Sequence, residues 1–304
     1  MQNKNLQGYL LAFITVSIWA GWMIITRYGV KTDLSPFDIT FLRFTSAGIL
    51  FLPLAIKSRK KILKTPKILL LLMLMGAGAP YVLVSAMGFR HAPASHGILI
   101  PGTMPLWVAL LSIFLFKEKF STARIIGYCL ILLGILFKLR LSMQQGLSWV
   151  LVDGYFLFAA ILWATYTVSN RKAKLDAMAA TAWVASGSAF FSWIPYLYYQ
   201  HQFPHHLDLR GSVLQIFYQG ILTSIVSLIT YNKAIEKIGA SKTSAFAALV
   251  PALVTLLAFP FLDEKPTLQD FFFVACMTLG VLFASNLLSK RKIPVEELKT
   301  LRLS

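Results

Sequence analysis

Ten apolar runs, each long enough to cross a bilayer, constrain this 304-residue chain more than any motif in it. A helix rises 1.5 Å per residue, so about 20 mostly apolar residues traverse a ~30 Å hydrocarbon core. Runs of that kind cover 8–27, 38–56, 68–88, 96–116, 122–139, 151–170, 178–199, 213–234, 241–262 and 268–288, with short connections of which 200–212 is the longest. Only helices and closed barrels satisfy their backbone in lipid. A barrel would show short segments of alternating polarity, so continuous apolar runs select helices.

Composition closes off the soluble alternatives. Hydrophobic residues make up 57% of the chain and charged ones 13%, with a mean hydropathy of +0.68, whereas a soluble domain carries about 25% charged residues. Too little polar surface remains for a soluble globule, a disordered chain, a nucleic-acid-binding arm or a disulfide-stapled fold. A net charge of +17 would suit a nucleic acid elsewhere; in so apolar a chain it reads as basic loops on one face of a bilayer. The two Cys supply neither a disulfide framework nor a metal cluster. The Met1–Gln7 leader holds one Lys and no small-residue cleavage site follows the first span, which is therefore expected to be retained and not removed as a signal peptide.

Local signals agree with these spans. Ser35-Pro36-Phe37-Asp38 and Thr267-Leu268-Gln269-Asp270 carry helix-start chemistry, and Thr65-Pro66 is expected to open the third helix the same way. With the N-terminus inside, Lys4, the cluster from Lys57 to Lys67, Lys117, Lys119, Arg124, Arg171, Lys172, Lys174, Lys233, Lys237, Lys242 and the tail cations face the cytoplasm. Arg27, Lys31, Arg43, Arg90, Lys138, Arg140, Arg210 and Lys265 remain outside. The positive-inside rule then predicts a multi-pass protein of the inner (cytoplasmic) membrane with both termini cytoplasmic.

The chain also repeats itself. A shift of about 146 residues carries Ala94-Ser95, Pro105 and Glu118-Lys119 onto Ala240-Ser241, Pro251 and Glu264-Lys265. Trp19 and Arg27 recur at the same mutual spacing as Trp163 and Arg171, and Cys129 and Cys276 occupy near-equivalent places. Each copy holds five helices. Five is odd, so the second copy enters from the opposite side, an inverted repeat of the sort that builds secondary transporters around a site near the midplane. The expected fold is all-α integral membrane, ten transmembrane helices in two inverted five-helix repeats, 8–139 and 151–288, followed by a cytoplasmic basic tail at 289–304.

Trp19-Ala20-Gly21, Pro36 with Arg43, and Ala94-Ser95…Pro105…Lys117-Glu118-Lys119, together with Trp163-Ala164, Ala240-Ser241, Pro251 and Asp263-Glu264-Lys265, resemble the EamA branch of the drug/metabolite transporter superfamily across roughly 8–288. That resemblance implies ten helices, termini inside, and movement of small metabolites, amino acids or toxic cations through a central cavity. One departure stands out. In the first copy, helices 3 and 4 carry Gly76-Ala77-Gly78-Ala79-Pro80 and Pro101-Gly102-Thr103-Met104-Pro105, whereas their second-copy counterparts have only Pro251 in mid-helix, so the halves are expected to bend unequally.

Helix breakers inside a bilayer free backbone groups that need partners from neighbouring helices or cavity water. Gly78, Pro80, Pro101, Pro105 and Pro251 are therefore the candidate breaks, with close packing by small residues as the alternative. The candidate cavity residues share helical faces: Trp19 and Trp22; Tyr81 and Ser85; Trp163, Tyr166 and Asn170; Ser227 and Tyr231. They are suited to stacking flat or cationic groups, a desolvated cation–π contact contributing about 2 kcal/mol. Trp107, Trp149, Trp183 and Trp193 are assigned to interfacial belts and packing.

All twelve acids lie in loops or end turns, so no deep carboxylate of the kind found in proton-coupled pumps is expected. Arg43, Glu118 and Glu264 are the gate or latch candidates. Arg43 is read as a structural latch, against snorkelling or contact with a substrate carboxylate. Glu118 and Glu264 are expected to pair with a nearby cation or an amide of the next helix. Arg27 satisfies its helix dipole and needs no further role. His201 and His205 lie in a loop, where a metal site is not expected. No nucleophile–base set or hydrolase motif supports the main rival, a membrane-embedded enzyme, and no charged ring supports a channel. The expected function is a secondary transporter of small organic metabolites, amino-acid-like or amphipathic and cationic, without cofactor or metal and with export favoured over uptake.

Overall fold

The computed structural model describes residues 2–117, 120–238 and 240–285. It is all-helical. α1 is Gln2–Lys31 and α2 is Pro36–Lys64. α3 runs Lys67–Ala77 and resumes as Ala79–His91. α4 joins a 3-10 turn, Ala94–Ile98, to Leu99–Phe116. α5 is Thr122–Gln145, α6 Leu147–Ala173 and α7 Ala177–Gln202. α8 comprises Leu209–Gln215, a π-helical stretch Ile216–Val226 and Ser227–Ile238. α9 comprises Ala240–Ala245, a 3-10 turn Phe246–Leu249 and Val250–Leu262, and α10 is Leu268–Ala284. Within the described residues each predicted span falls on one of these, and 286–288 of the tenth lie outside them. Among the described residues, eight helices are long and apolar enough to cross a bilayer; Phe246–Leu262 and Leu268–Ala284 are shorter apolar helices. Glu118 and the basic tail at 289–304 lie outside the described residues.

The start signals explain where the chain turns. Ser35 and Asp38 form a reciprocal capping box at α2, as do Thr267 and Asp270 at α10. Thr65 corrects the expectation for α3. Its hydroxyl donates to Lys61 O, finishing α2, and Pro66 precedes α3 without a side-chain cap.

Helix pairing reveals the two-fold relation between the repeats. α2 packs along α7 and α5 along α10, each against its own counterpart; α1 packs on α8 and α9 as α6 packs on α3 and α4. In lipid, apolar burial gives no preference for one helix over another, so contact depends on van der Waals fit through small residues. Gly48 lies where a Cβ would come 2.4 Å from Ala189 Cβ, bringing α2 onto α7. At Gly127 a Cβ would come 2.7 Å from Gly280 O, bringing α5 onto α10. Away from these seams Phe114, Leu136, Phe190 and Ile194 are exposed, an apolar surface matched to acyl chains.

The breaks differ from those expected. Gly78 does interrupt α3, with Pro80 in the first turn of the resumed helix, where the missing N–H costs nothing. Pro101 and Pro105 do not break α4: Leu99–Phe116 is continuous, and the irregular turn lies upstream at Ala94–Ile98. Pro251 likewise sits in the first turn of Val250–Leu262, just after the 3-10 segment. In the second copy, α8 is also interrupted more than its lack of proline suggests. The counterpart to the Gly78 break is its π-helical stretch. Hydroxyls stabilise the widened turn: Ser224 Oγ donates to Gln219 O (2.8 Å) and Ser227 Oγ to Thr223 O (2.5 Å). Serine hydroxyls thus do in α8 what glycine and proline do in α3.

Candidate functional site

Helices α1, α3, α6 and α8, two from each repeat, bring the predicted aromatic residues together. Tyr81 and Trp22 stack at 5.8 Å between ring centroids, Tyr81 and Trp163 lie 5.1 Å apart, and Trp163 and Tyr166 5.6 Å apart. Trp19 meets Tyr231 at 5.5 Å. The two-fold relation is visible here too: the α1–α8 contact carries Trp19–Tyr231 and the equivalent α6–α3 contact carries Trp163–Tyr81. Trp22 and Tyr81 are buried, while Trp19, Trp163, Tyr166 and Tyr231 keep partial exposure.

The polar candidates divide differently. Ser85 Oγ donates to Tyr81 O and Ser227 Oγ to Thr223 O, so both hydroxyl protons are committed to their own helices. Asn170 continues the Trp163–Tyr166 face, with a buried Oδ1 that has no hydrogen-bond partner.

Two glutamines escaped the sequence reading. Gln215 and Gln219 are 0% exposed and occupy the start of the π-helical stretch and the turn before it. Gln215 Nε2 donates to Ile25 O at 2.7 Å, and Gln219 Nε2 to Gln215 Oε1 at 2.5 Å. Gln219 Oε1 accepts from Trp22 Nε1 (3.1 Å) and Arg43 Nη1 (3.3 Å). Their one-turn spacing in an apolar run was the available signal. Arg43 itself is 8% exposed and does not snorkel. Its guanidinium lies 5.7 Å from the Trp22 ring and 5.6 Å from the Phe44 ring.

Glu264 finds a cation, and an amide that belongs to Ala94 at the head of α4 and not to the next helix. Its Oε1 lies 2.9 Å from Arg27 Nε, and its Oε2 accepts from Ala94 N at 2.7 Å. Arg27 also donates to Phe89 O at 2.6 Å, and Lys31 Nζ to Leu262 O at 2.9 Å. Arg27 therefore does more than complement its helix dipole. It fastens α1 and the end of α3 to the end of α9, across the repeats.

Among the described residues the acids lie in loops or within two turns of a helix end, but Asp38 and Asp153 are wholly buried. Asp153 is 0% exposed; its Oδ1 meets His96 Nδ1 at 2.6 Å and its Oδ2 accepts from Ser142 Oγ. His96, Ser142, Lys138, Trp149 and Glu264 share a cleft of about 340 Å³, so Trp149 lines a cavity instead of a membrane interface. Of the other tryptophans set aside, Trp183 Nε1 donates to Leu70 O and Trp107 Nε1 to Thr103 Oγ1, while Trp193 packs edge-on against Phe41.

Asp38, also buried, accepts from His205 at 2.8 Å while completing the α2 cap, tying the α7–α8 loop to α2. The His205 pKa is raised above its usual 6.5: the ring faces Phe203 O through Nδ1 and Asp38 through Nε2, and only the imidazolium donates to both. A raised folded-state pKa places the stabilisation below the ordinary value and removes it as pH climbs through the raised one. His205→Gln should therefore lower thermal stability most at about pH 5.5 and least at about pH 9. Melting both proteins across that range checks it; a difference that grows with pH contradicts the tie.

A model described as the EamA-like transporter family matches residues 6–140 and again 150–286. An Archaeoglobus fulgidus protein described as an uncharacterized transporter is 26% identical over 276 residues, spanning 88% of this chain and 92% of its own length. Escherichia coli K12 YhbE, described as an uncharacterized inner membrane transporter, is 27% identical over 176 residues, 54% of each chain. A crystal structure with 21% sequence identity superposes with a TM-score of 0.63 over 91% of this chain and 96% of its own, a likeness of fold.

Proposed function

Because the chain belongs to the EamA-like transporter family and is thereby a multi-pass membrane transporter and not an enzyme, we propose that it exports small amino-acid-like or amphipathic metabolites across the cytoplasmic membrane by alternating access. Both termini face the cytoplasm in this reading. The units 8–139 and 151–288 rock about the faces of α1, α3, α6 and α8. Closure at the outer end rests on Arg27, Glu264 and the amide of Ala94.

The observation that supports this most is the convergence of Trp22, Tyr81, Trp163 and Tyr166 from both repeats onto one continuous aromatic surface. Aromatic faces supply large contact area at low conformational cost, and such contacts change when the repeats tilt.

Reconstituted vesicles loaded with a mixture of amino acids and amines test the reading. Saturable appearance of an unmodified solute outside supports it; chemical conversion without movement refutes it. Uptake by the same fold is separated by giving the protein gradients of either sense. Tyr81→Ala or Trp163→Ala should slow movement by about ten-fold or more with membrane insertion intact, a loss of the size seen when an aromatic contact is truncated. Wild-type rates in both would remove these rings from the solute's path.

A further inference from the structure

Arg43 is a buried cation without an anion. Among the described residues no carboxylate lies within 4.0 Å of its guanidinium, and its Nε is buried with no hydrogen-bond partner. What faces it is neutral: the rings of Trp22 and Phe44 and the amide oxygen of Gln219. A charge taken out of water is tolerated when an opposite charge or a full set of hydrogen bonds replaces the lost hydration. Arg43 has neither in full.

The Gln219 oxygen shows what is wanted there. Two donors, Trp22 Nε1–H and Arg43 Nη1–H, converge on that single neutral acceptor. Gln219 holds its position through its own amide nitrogen, which donates to Gln215 Oε1. Its turn belongs to the π-helical stretch of α8, a widened helix of the sort often associated with ligand sites. The donor set is that of a carboxylate site: a planar guanidinium fork with a spare Nε–H, beside an indole N–H.

We propose that Arg43 anchors the carboxylate of the transported solute, with Trp22 Nε1 as second donor and the Gln219 amide oxygen as the acceptor that stands in when the site is empty. The substrate class is then a carboxylate-bearing metabolite, a zwitterionic amino acid, and not a simple organic cation. Arg43 already lies against the Trp22 ring as a cation, so a cationic solute meets like charge at that face. The aromatic run from Tyr81 to Tyr166 is left to receive the solute's side chain. This assignment rests on the transport reading above and narrows its substrate class.

Purified protein in nanodiscs is melted with each common L-amino acid, its α-carboxamide and the amine lacking the carboxyl group. At least one amino acid should raise the wild-type Tm by about 3 °C or more, a shift typical of specific ligand binding. Its amide and amine should not. Arg43→Lys, which keeps the charge and loses the fork, should weaken the apparent affinity by about ten-fold. Gln219→Glu is the decisive variant, because it supplies an internal carboxylate. It should raise the Tm of the ligand-free protein and abolish the response to the amino acid.

Three results overturn the proposal: no amino acid shifts the wild type; amide or amine binds as well as the acid; or Gln219→Glu melts no higher and responds like wild type. If amides or amines bind and cross the membrane, the transport reading stands and only the role of Arg43 falls. If solutes are converted without movement, the transport reading falls by itself.

Discussion

Gly76→Val should abolish transport and lower the melting temperature. Gly76 is where α3 touches α6: a Cβ there would come 2.4 Å from Leu162 O, 2.6 Å from Tyr166 N and 2.7 Å from Tyr166 Cβ. Two of those atoms belong to the α6 backbone, which cannot rotate aside as the tip of a long side chain does. The helices must part, and overpacking of that kind costs about 1–3 kcal/mol or more. The separation opens at the residues that carry the aromatic surface, since Tyr166 is itself the contact and Trp163 meets Tyr81 less than two turns along α3. Gly76→Ala should show the same defect in milder form. Gly154→Ala is the control: on the same helix, α6, its new Cβ meets nothing within 4 Å, so stability and transport should match wild type. Vesicle flux and thermal melting measure both. A Gly76→Val protein with wild-type flux and Tm would show that α3 and α6 are not held this closely.

Breaking the Arg27–Glu264 tie should open the end of the bundle where α1 and α9 finish. Glu264→Gln keeps the shape and removes the charge. Arg27→Ala leaves the Glu264 carboxylate with only the Ala94 amide and strips Phe89 O of its donor. Losing one member of a buried pair costs about 3–5 kcal/mol. These side chains are 14% and 15% exposed, so solvent screening reduces that to about 1–2 kcal/mol, roughly a ten-fold shift in an opening equilibrium. With Cys129 and Cys276 replaced by Ser, a Ser95→Cys thiol in the adjoining cleft reports the opening by its labelling rate. Either single variant should label about ten-fold faster. The double variant should add little to the faster of the two, since both substitutions remove one interaction. Unchanged labelling in the single variants would show that the tie does not hold this end shut.

Both predictions concern contacts of a kind the linear chain hides. Gly76 meets residues 162 and 166, and Arg27 meets Glu264 from 237 positions away. Sequence reasoning selected Glu264 because it recurs in the second copy, and expected a nearby cation or an amide of the next helix beside it. It set Arg27 aside, because a cation at the C-terminal end of its own helix is already accounted for by the dipole. Trp163, Tyr166 and Tyr81 were legible because a shared helical face needs only a spacing of three or four residues. That those faces meet was not legible. Gln215 and Gln219 were missed for a related reason: glutamine in a long apolar run weighs little in hydropathy, and its importance comes from Arg43 and Trp22 on two other helices.

The π-helical stretch of α8 has the same character. Searching for glycine and proline finds the break at Gly78. It misses Ile216–Val226, where hydroxyls that are individually compatible with a regular helix satisfy the widened turn instead. The burial of Asp38 and Asp153 was hidden as well, because end-turn positions are wet or dry according to what folds over them, here His205 and His96.

Length of apolar run, capping residues and the internal repeat determined the ten helices, the starts of α2 and α10 and the two-copy architecture, because each depends on a segment's own interaction with lipid, water or its next turn. Which helix lies against which, which ion pairs form and which polar groups are sealed inside were decided by tertiary packing alone. In a bilayer every helix presents much the same apolar surface, and partners are chosen by the fit of small residues and a few buried polar groups across distances along the chain that no local pattern records.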